Sequence, residues 1–418
     1  MMHNGTSVTR RHIRSLTVRV GVAVLLELSA CAPESPTEPS DAREKLMFQN
    51  RDAWRIESDR LRVTVLEGGG HLAEIVLKTD GAESLNPWWI PPWPSIDPWT
   101  YDAAKHGDAY GTDSEAALLA GIMGHNLCFD YWGAPSPAEF KAGMFYHGEV
   151  SIVRAEKISG DDRSLVHRLD LTKSGTSITR TMRLAEGQPI LYVEETAKNE
   201  RSLDRTFGWV QHATFGPPFL DPEHTFFDSS ATKGDLGEAK NYEPLADWPV
   251  GTASQRESDY RRFAPQPPSQ KMAYFLLDPE RELEFISAVN TEHRLLIAYV
   301  FLRKDYPWMM VWEENREIQL PPWNGKAMTR GMEFGNTRIP GTARAYAAKP
   351  EMYGTRTFGW LDAQAELTAR YLVVMSAVPE GFAGVRDVRL DGSEVVIDAA
   401  GDAEAIRVLF KPEWFPAR

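Results

Sequence analysis

Short strand-like segments separated by turns recur along most of this chain, and they constrain its fold more than any other feature. In Leu61–Leu66 apolar and polar residues alternate, and three glycines, Gly68–Gly70, follow as a turn. A helical period is confined to Asp113–Ala120. Because a side-chain period of two is typical of strands that bury one face, the pattern predicts an all-β protein, a large antiparallel β-sandwich. The predicted strands are Leu61–Leu66, Ala73–Thr79, Leu165–Thr172, Thr176–Leu184, Ile190–Asn199, Leu283–Val289, Arg294–Leu302, Trp308–Trp312, Met328–Phe334, Leu367–Met375 and Val385–Ile397.

The segment Asn86–Trp99 (NPWWIPPWPSIDPW) is rich in proline and tryptophan, with five of the first and four of the second. Its prolines exclude a regular central strand and stiffen the backbone. Tryptophan offers a flat apolar face with a polar edge, on which the apolar C–H face of a sugar ring can stack. The loop is therefore interpreted either as the wall of a sugar site or as a lid over the end of the sandwich.

Charge and cysteine content exclude several classes of function. The 418 residues include 59 acidic and 46 basic ones, and the net charge of -13 argues against a nucleic-acid partner. The two cysteines are Cys31 and Cys128. Because the first falls in the leader described next, no disulfide is expected in the folded body, and Cys128 is expected to be a buried small apolar residue. No Cys/His cluster indicates a metal site, and no cofactor is expected.

An export signal is predicted for residues 1–31. Four arginines precede the apolar run Val20–Leu26, which is too short to span a bilayer. The next residues, Leu28–Cys31 (LSAC), resemble a bacterial lipobox, in which the cysteine is lipidated, so Cys31 is the predicted lipidation site. The alternative is an ordinary cleaved signal with a coincidental cysteine. The arginines leave open whether export uses the general or the twin-arginine route.

Residues 32–45 are predicted to be a flexible linker and residues 46–418 the folded domain. The stretch 32–41 holds three prolines, two serines and two glutamates, and therefore little apolar surface to bury. No later segment has 18 consecutive apolar residues, so the only expected membrane contact is the lipid anchor. We expect the mature protein in the cell envelope, on the periplasmic face of a membrane or at the outer membrane.

Three segments place histidine or glutamate among glycines and aromatic residues, where a strand gives way to a turn. They are Phe145–Glu149 (FYHGE), Gly208–Pro218 (GWVQHATFGPP) and Gly331–Asn336 (GMEFGN). Glycines in such positions allow a ligand to approach the backbone closely. The three segments are therefore the candidate parts of a binding or catalytic site.

These segments resemble, in order and in residue type, the motifs of the aldose 1-epimerase (galactose mutarotase-like) superfamily. His147–Glu149 is similar to its early His-Gly motif, and Gln211–Phe215 to its central Asn-His or Gln-His motif followed by aromatics. Met332–Gly335 is similar to its late glutamate motif. The resemblance covers roughly residues 55–380, and it implies the galactose mutarotase-like supersandwich fold.

The family interconverts sugar anomers by general acid–base catalysis, so the resemblance implies roles for three residues. Glu333 is implied as the base at the anomeric hydroxyl and His212 as the acid at the ring oxygen, on opposite sides of the sugar. His147 is implied to bind and orient the sugar. The substrate is then a sugar or a sugar-containing molecule, and the reaction needs no metal or organic cofactor.

Five further residues are candidates for contacts with the sugar. His125 and Asn126 lie where the family carries Asn-Arg before its first histidine, so His125 stands in place of a basic partner. Glu149 is alternatively a salt-bridge partner, and Trp209 is alternatively a core residue. The full set of these candidates is His125, Asn126, Glu149, Trp209 and Gln211.

The departures from the family pattern keep two other functions open. One is a non-catalytic carbohydrate-binding or accessory lipoprotein of the same fold, and the other is a polysaccharide-degrading enzyme, which paired carboxylates would favour. Outside the three segments, His71, His167, His224 and His293 are expected at the surface, and Trp312–Asn315 is expected to be a solvated turn.

Overall fold

Two large antiparallel β-sheets make up most of the computed structural model of the protein. The structure describes residues 46–79, 81–235, 246–253, 256–338 and 340–415. The predicted signal peptide, its Cys31 and the linker lie outside the described residues. Within them, the strand pairings are antiparallel, as in the central pairs of each sheet, and the predicted all-β sandwich is confirmed.

The strands and helices are mostly short. The first fourteen strands are β1 (Met47–Phe48), β2 (Arg51–Glu57), β3 (Leu61–Leu66), β4 (Leu72–Thr79), β5 (Ala82–Glu83), β6 (His125–Asp130), β7 (Glu156–Gly160), β8 (Ser164–Leu171), β9 (Thr176–Leu184), β10 (Ile190–Asn199), β11 (Arg205–Phe215), β12 (Thr225–Ser229), β13 (Ala231–Asp235) and β14 (Ala246–Asp247). The others are β15 (Val250–Ala253), β16 (Arg256–Asp259), β17 (Ser269–Leu277), β18 (Leu283–Asn290), β19 (Leu295–Leu302), β20 (Trp308–Asn315), β21 (Met328–Gly335), β22 (Glu351–Met352), β23 (Thr355–Arg356), β24 (Gly359–Leu361), β25 (Glu366–Ala377), β26 (Val385–Asp391), β27 (Glu394–Ala399) and β28 (Ile406–Leu409). The α-helices are α1 (Ala103–Tyr110), α2 (Ala116–Gly121), α3 (Pro137–Lys141) and α4 (Ala343–Ala348).

The two main sheets differ in size and in strand order. The large sheet runs in the order β1-β2-β3-β4-β6-β11-β21-β20-β17-β13-β14-β15-β16, with β5 beside β4 and β24 beside β11. The second sheet runs β12-β18-β19-β25-β10-β9-β8-β7. Strands β26 to β28 form a separate three-stranded sheet, and β22 pairs with β23.

The main hydrophobic core lies between the large sheet and the second sheet. Leu127 and Phe334 of the large sheet belong to the same cluster of buried side chains as Val193 and Ile297 of the second. The other face of the second sheet is also apolar, because the three-stranded sheet packs on it and places Val395 in a second cluster. Strands β10, β18, β19 and β25 of the second sheet are therefore buried on both faces, and the large sheet keeps one face free to form a site.

Strand β11 sends its side chains alternately into the core and onto that free face. Trp209 and Ala213 belong to the core cluster, whereas Val210 belongs to a cluster on the other side. Because side chains alternate along a strand, His212 shares the face of Val210. Strand β21 pairs with β11 in the register that sets Glu333 opposite His212. The two candidate catalytic residues therefore meet on the free face of the large sheet.

A buried ion pair joins the second sheet to the large one. Arg180 on β9 and Glu195 on β10 are both fully buried, and the Arg180 Nε donates to the Glu195 carboxylate at 2.7 Å. The same carboxylate accepts from the Gln211 side chain at 2.6 Å and from the Trp209 indole at 2.9 Å, both on β11. Arg180 also donates to the carbonyl of Gly70 at 2.6 Å. The pair therefore fixes β11 against the strands behind it.

Strand bounds were predicted best where apolar and polar residues alternate. The predicted bounds of β3, β9 and β10 coincide with those observed. The predicted strand Val385–Ile397 is instead the hairpin of β26 and β27, which turns at Gly392 with φ of +60°, a conformation that favours glycine. The single predicted helix corresponds to α2, displaced by three residues at its start. In the described part of the chain no helix is long and apolar enough to cross a membrane.

Two expectations about polar residues were wrong. His71 and His167 are fully buried between the sheets rather than exposed, whereas His224 and His293 are accessible to solvent. Trp312–Asn315 is not a solvated turn, because it forms the end of β20 and its two glutamates are buried. Partners that are distant in the sequence make this burial possible, as Arg330 does by donating to Glu313 at 2.6 Å.

We expect the Arg180–Glu195 pair to be essential for stability. Substitution Arg180→Met leaves a buried carboxylate without its cation and should lower the free energy of unfolding by about 3–5 kcal/mol. The matched control is Arg370→Met, which removes a half-buried arginine that pairs with Glu194 at 2.6 Å and should cost about 0–1 kcal/mol. Urea unfolding of both variants measures the difference, and equal losses would contradict the structural role assigned to the buried pair.

Candidate active site

A cavity of about 220 Å³ opens on the free face of the large sheet, around His212 and Glu333. Strands β11, β17, β20 and β21 form its floor, and α2 with the segment between β20 and β21 forms part of its walls. Pockets for drug-sized ligands usually measure roughly 300–1,000 Å³, so this cavity suits one small ligand such as a single sugar ring. Both candidate catalytic residues, His212 and Glu333, line it.

His212 and Glu333 are in direct contact. The His212 Nε2 lies 3.0 Å from the Glu333 Oε1, within hydrogen-bonding distance. Glu333 is fully buried and His212 nearly so. The pair is held by the antiparallel register of β11 and β21, and Gly331 leaves room beside it, since a Cβ there would lie 2.9 Å from the Glu333 Oε1. The sugar therefore cannot lie between the two groups, and the expectation that they act from opposite sides of it was wrong.

Burial shifts both groups of this pair toward their uncharged forms. It lowers the pKa of His212 to about 4. It raises the pKa of Glu333 well above its ordinary value, although the nearby Trp132 side chain opposes the shift. A low-dielectric site disfavours the imidazolium and the carboxylate alike, so the unliganded pair is expected to hold one proton on Glu333 at neutral pH.

Thr214 orients the His212 ring. The Thr214 hydroxyl lies within donating distance of the carbonyl of His212 at 3.3 Å, and its oxygen lies 2.8 Å from the His212 Nδ1. When the hydroxyl hydrogen points to the carbonyl, the imidazole donates from Nδ1, and Nε2 is left as a proton acceptor toward Glu333. The arrangement is a carboxylic acid next to a neutral base.

His147 reaches the same cavity from a tight turn. Its backbone has φ of +64° and Gly148 follows with φ of +83°, where a Cβ would collide with the carbonyl of Phe129. The amide of Gly133 donates to the His147 Nδ1 at 3.0 Å, so the neutral ring carries its hydrogen on Nε2. Burial, and next the nearby His212, lower the pKa of His147 well below its ordinary value. His147 is thus a neutral donor whose ring centre lies 5.2 Å from that of His212.

Aromatic side chains form much of the cavity wall. Trp312 contacts the His212 ring edge-on at 6.2 Å between ring centres, so it belongs to the site although its residue type also suits a core. Trp323 stacks on Trp89 at 5.9 Å, which places the proline-rich loop behind the wall. None of the four tryptophans of that loop lines the cavity, so the interpretation of the loop as a direct sugar wall was wrong. The aromatic residues that line the cavity are Trp132, Tyr146, Tyr274, Trp312 and Trp323.

Glu115 adds a titratable group to His147, His212 and Glu333, and the sequence analysis missed it. It precedes α2 and lines the cavity. Burial, with a smaller contribution from Asp113, raises the pKa of Glu115 to about 7. Trp132, Tyr274 and Glu115 lie outside the three motifs, so only the folded topology brings them to the site. The signal that could have indicated Glu115 is its position at the start of a short helix next to an apolar run.

Three of the predicted sugar contacts lie on the wrong face of the sheet. Trp209 and Gln211 alternate with His212 along β11 and donate into the core, to Glu195. His125 lies opposite Ala213 on β6, and its Nε2 is 3.0 Å from the Gln211 Oε1. All three are buried between the sheets and do not line the cavity. The expectation that they bind substrate was therefore wrong, because neighbours in a strand face opposite sides.

The two remaining candidates have structural contacts. The Glu149 carboxylate accepts from the backbone amides of Lys173 and Ser174, each at 2.9 Å, so it anchors a turn of the second sheet. Asn126 faces the same side as His212, but its amide donates to the Ser151 hydroxyl at 3.5 Å. Neither residue lines the cavity. Of the eight candidate residues, the structure brings His147, His212 and Glu333 together.

Within the described residues, no group of three or more His, Cys, Asp or Glu side chains is arranged to hold a metal ion. Cys128 is a buried free thiol in the cluster beside the cavity, and burial raises its pKa well above the ordinary value. It has the character expected for a small apolar residue. The titratable side chains that line the cavity, among them His147, His212 and Glu333, can transfer protons.

Solved structures of mutarotase-like proteins share this fold. A protein of Klebsiella pneumoniae described as a candidate aldose 1-epimerase superposes with a TM-score of 0.53 at 13% identity, covering 77% of this chain and 78% of its own. A galactose mutarotase-like protein of Clostridium acetobutylicum gives a TM-score of 0.53 at 12% identity, covering 80% and 97%. A galactose mutarotase related enzyme of Lactobacillus acidophilus gives 0.50 at 12% identity, covering 78% and 99%.

The chain therefore has the galactose mutarotase-like fold, as the motif resemblance implied. No protein-family model matches the sequence, and no curated protein matches it either. At such low identities the likeness concerns the architecture, and the chemistry has to be argued from the cavity itself.

Titration of His212 tests the electrostatics of the cavity. Because burial disfavours the imidazolium, the side-chain NMR signal of His212 should titrate with a midpoint near pH 4. His212 in the urea-unfolded chain is the control, and its titration midpoint should lie at about pH 6.5. A variant, His212→Gln, assigns the signal. A folded-state midpoint at or above the unfolded one would mean that an imidazolium–carboxylate ion pair outweighs burial.

Proposed function

We propose that this protein is an aldose 1-epimerase-like enzyme that interconverts the anomers of a sugar. The observation that carries the proposal is the buried His212–Glu333 pair, 3.0 Å apart, on the floor of a small aromatic-walled cavity. Anomer exchange needs one proton removed from the anomeric hydroxyl and one delivered to the ring oxygen. Because both oxygens are bonded to the same carbon, a neighbouring acid and base can serve them from one side.

The neutral form of the pair suggests how the proton moves. On ring opening, the His212 Nε2 accepts the anomeric hydroxyl proton while the Glu333 carboxyl gives its proton to the ring oxygen, and the bond between that oxygen and the anomeric carbon breaks. Rotation about the adjacent carbon–carbon bond turns the aldehyde over. On closure Glu333 takes the proton back from the former ring oxygen, and His212 returns its proton to the carbonyl oxygen. Glu333 is then the acid on opening and the base on closure, whereas the family resemblance implies the base role on opening.

This relay avoids a net charge in the cavity. The pair and the sugar together hold the same number of protons before and after each step, so no uncompensated charge is left in a dry environment, where it would be costly. His147, with its hydrogen on Nε2, can donate to a sugar hydroxyl and so orient the ring. The aromatic wall can stack on the C–H face of the sugar.

Anomer exchange measured by NMR tests the proposal on a panel of hexoses and pentoses. Wild type should exchange the anomers of at least one sugar faster than buffer alone. Each of His212→Ala and Glu333→Gln should lower the rate by about 10²–10⁴-fold, the usual contribution of a positioned acid or base. His293→Ala is the matched control, since it removes an exposed histidine that does not line this cavity, and it should keep the wild-type rate.

Two results would reassign the protein. Binding of a sugar, seen as chemical-shift changes, without acceleration of anomer exchange would favour the carbohydrate-binding alternative. Release of shorter products from a polysaccharide would favour the degrading alternative, in which Glu115 and Glu333 would be the carboxyl groups available in the cavity.

We also propose that the chain is exported and held at a membrane by a lipid on Cys31. The support is the sequence Leu28–Cys31 after a short apolar run and before a proline-rich stretch. Expressed in a bacterium fed with radiolabelled palmitate, the wild type should carry the label and sediment with membranes, because an acyl chain adds apolar surface. Cys31→Ala should lose both properties. A labelled or membrane-bound Cys31→Ala variant would contradict the proposal.

A further inference from the structure

A second recess, which we call the Trp360 cleft, lies away from the candidate active site. It has a volume of about 350 Å³ and shares no lining residue with the cavity around His212. It is bounded by β24, by the hairpin of β22 and β23, and by the turn between β19 and β20. Its lining combines aromatic and cationic side chains, among them Phe207, Arg303, Lys304, Arg356, Phe358 and Trp360.

Trp360 presents a fixed flat surface in this cleft. Its side chain is 50% exposed, which is unusual for a large aromatic residue that folding normally buries. The indole Nε1 donates to the Asp362 Oδ1 at 2.9 Å, and β24 is held beside β11 with Trp360 opposite Thr206. The close packing of β24 requires Gly359, where a Cβ would lie 2.3 Å from the Phe207 ring. A ligand that stacks on this ring therefore orders little that is not already ordered.

Three cations surround this surface. Lys304 and Arg356 are exposed and form no ion pair with the described residues. Arg303 donates to the Thr355 hydroxyl at 3.3 Å and lies 3.7 Å from Glu284 behind the cleft. The backbone next to Arg356 is fixed because the Trp308 indole donates to its carbonyl at 2.7 Å. The Arg303 side chain and the backbone of Arg356 are thus fixed in the lining of the cleft, and the side chains of Lys304 and Arg356 remain open to solvent.

The cleft is cationic on an acidic protein. Its lining contains one acidic side chain, Asp305, whose pKa burial raises to about 6, with Lys304 and Arg370 opposing the rise. The whole chain has a net charge of -13. Arg303 is shared with Glu284, and Asp362 lies at the edge of the indole, so the charge available to a ligand is that of the exposed Lys304 and Arg356, which favours an anionic ligand.

We infer that the Trp360 cleft binds an acidic carbohydrate, with one sugar ring stacked on Trp360 and its carboxylate or sulfate bound by Arg303, Lys304 and Arg356. A flat amphipathic ring fits the C–H face of a sugar, and guanidinium groups pair well with carboxylate or sulfate oxygens. A single-stranded nucleic acid would need several successive stacking platforms along a basic groove, and the cleft offers one. The inference does not depend on the anomer chemistry proposed for the other cavity.

Native gels that contain a polymer test this inference with matched ligands. Polygalacturonate should retard the wild-type protein, whereas its methyl ester, which has the same backbone without the charge, should not. Dextran sulfate against dextran is the corresponding pair for sulfate and shows which anionic group is preferred. Polyglutamate and a thymidine oligonucleotide test whether any polyanion suffices. Mobility is compared with gels that lack the polymer, so that changes in the protein's own charge cancel.

Variants then assign the binding to the cleft. Trp360→Ala and Arg356→Glu should each weaken binding by about tenfold or more, as truncation of a central aromatic or arginine contact usually does. Arg386→Glu is the matched control, since it reverses an exposed arginine of the three-stranded sheet, and it should bind like wild type. His212→Ala should also bind like wild type, which separates this site from the proposed active site. Unchanged retardation of Trp360→Ala, no retardation by any acidic polysaccharide, or equal retardation by polyglutamate or the oligonucleotide would overturn the inference.

Discussion

The carboxylate of Glu195 is the group on which the placement of the candidate site depends. It is fully buried, and it accepts hydrogen bonds from Arg180 beside it and from Trp209 and Gln211 on the facing sheet. A charge in the interior is tolerated only when such partners surround it, so any shift of β11 that removed them would be costly. A slip by one residue would also send His212 into the core and Gln211 onto the free face. The buried charge thus sets the register that carries the proposed chemistry.

Two polar networks lie on opposite faces of strand β11, and residues adjacent in its sequence belong to different networks. On the core side Gln211 contacts His125 and Glu195, and on the free side His212 contacts Glu333. The first network is closed by protein groups alone and rigidifies the sheet, whereas the second borders a cavity. Adjacent residues of the motif therefore have different tasks. A sequence motif does not show which residue has which task unless the alternation of side chains along a strand is taken into account.

Strands that bury one face were predicted correctly, because their apolar and polar residues alternate. Prediction from the sequence failed for strands that are buried on both faces. Strands β9 and β10 alternate and were predicted with their observed bounds. Strand β6 is buried along its whole length, so it carries no alternation, and it was missed as a strand. His71 and Glu313 look solvent-exposed in their local sequence, yet residues far along the chain bury them and provide their partners. For the same reason the motifs indicated His147, His212 and Glu333, whereas the walls of the cavity required the topology.

The two recesses differ in how they can handle charge, and this difference supports separate tasks for them. Among the described residues that line the candidate active-site cavity there is no lysine or arginine, so the lining offers no fixed positive charge to stabilise an alkoxide. In the proposed anomer exchange a proton therefore leaves one sugar oxygen as another arrives at its neighbour, which a buried acid–base pair in contact can do. The Trp360 cleft has exposed cations and no such acid–base pair in contact among its lining residues, so it is suited to attract and hold an anion.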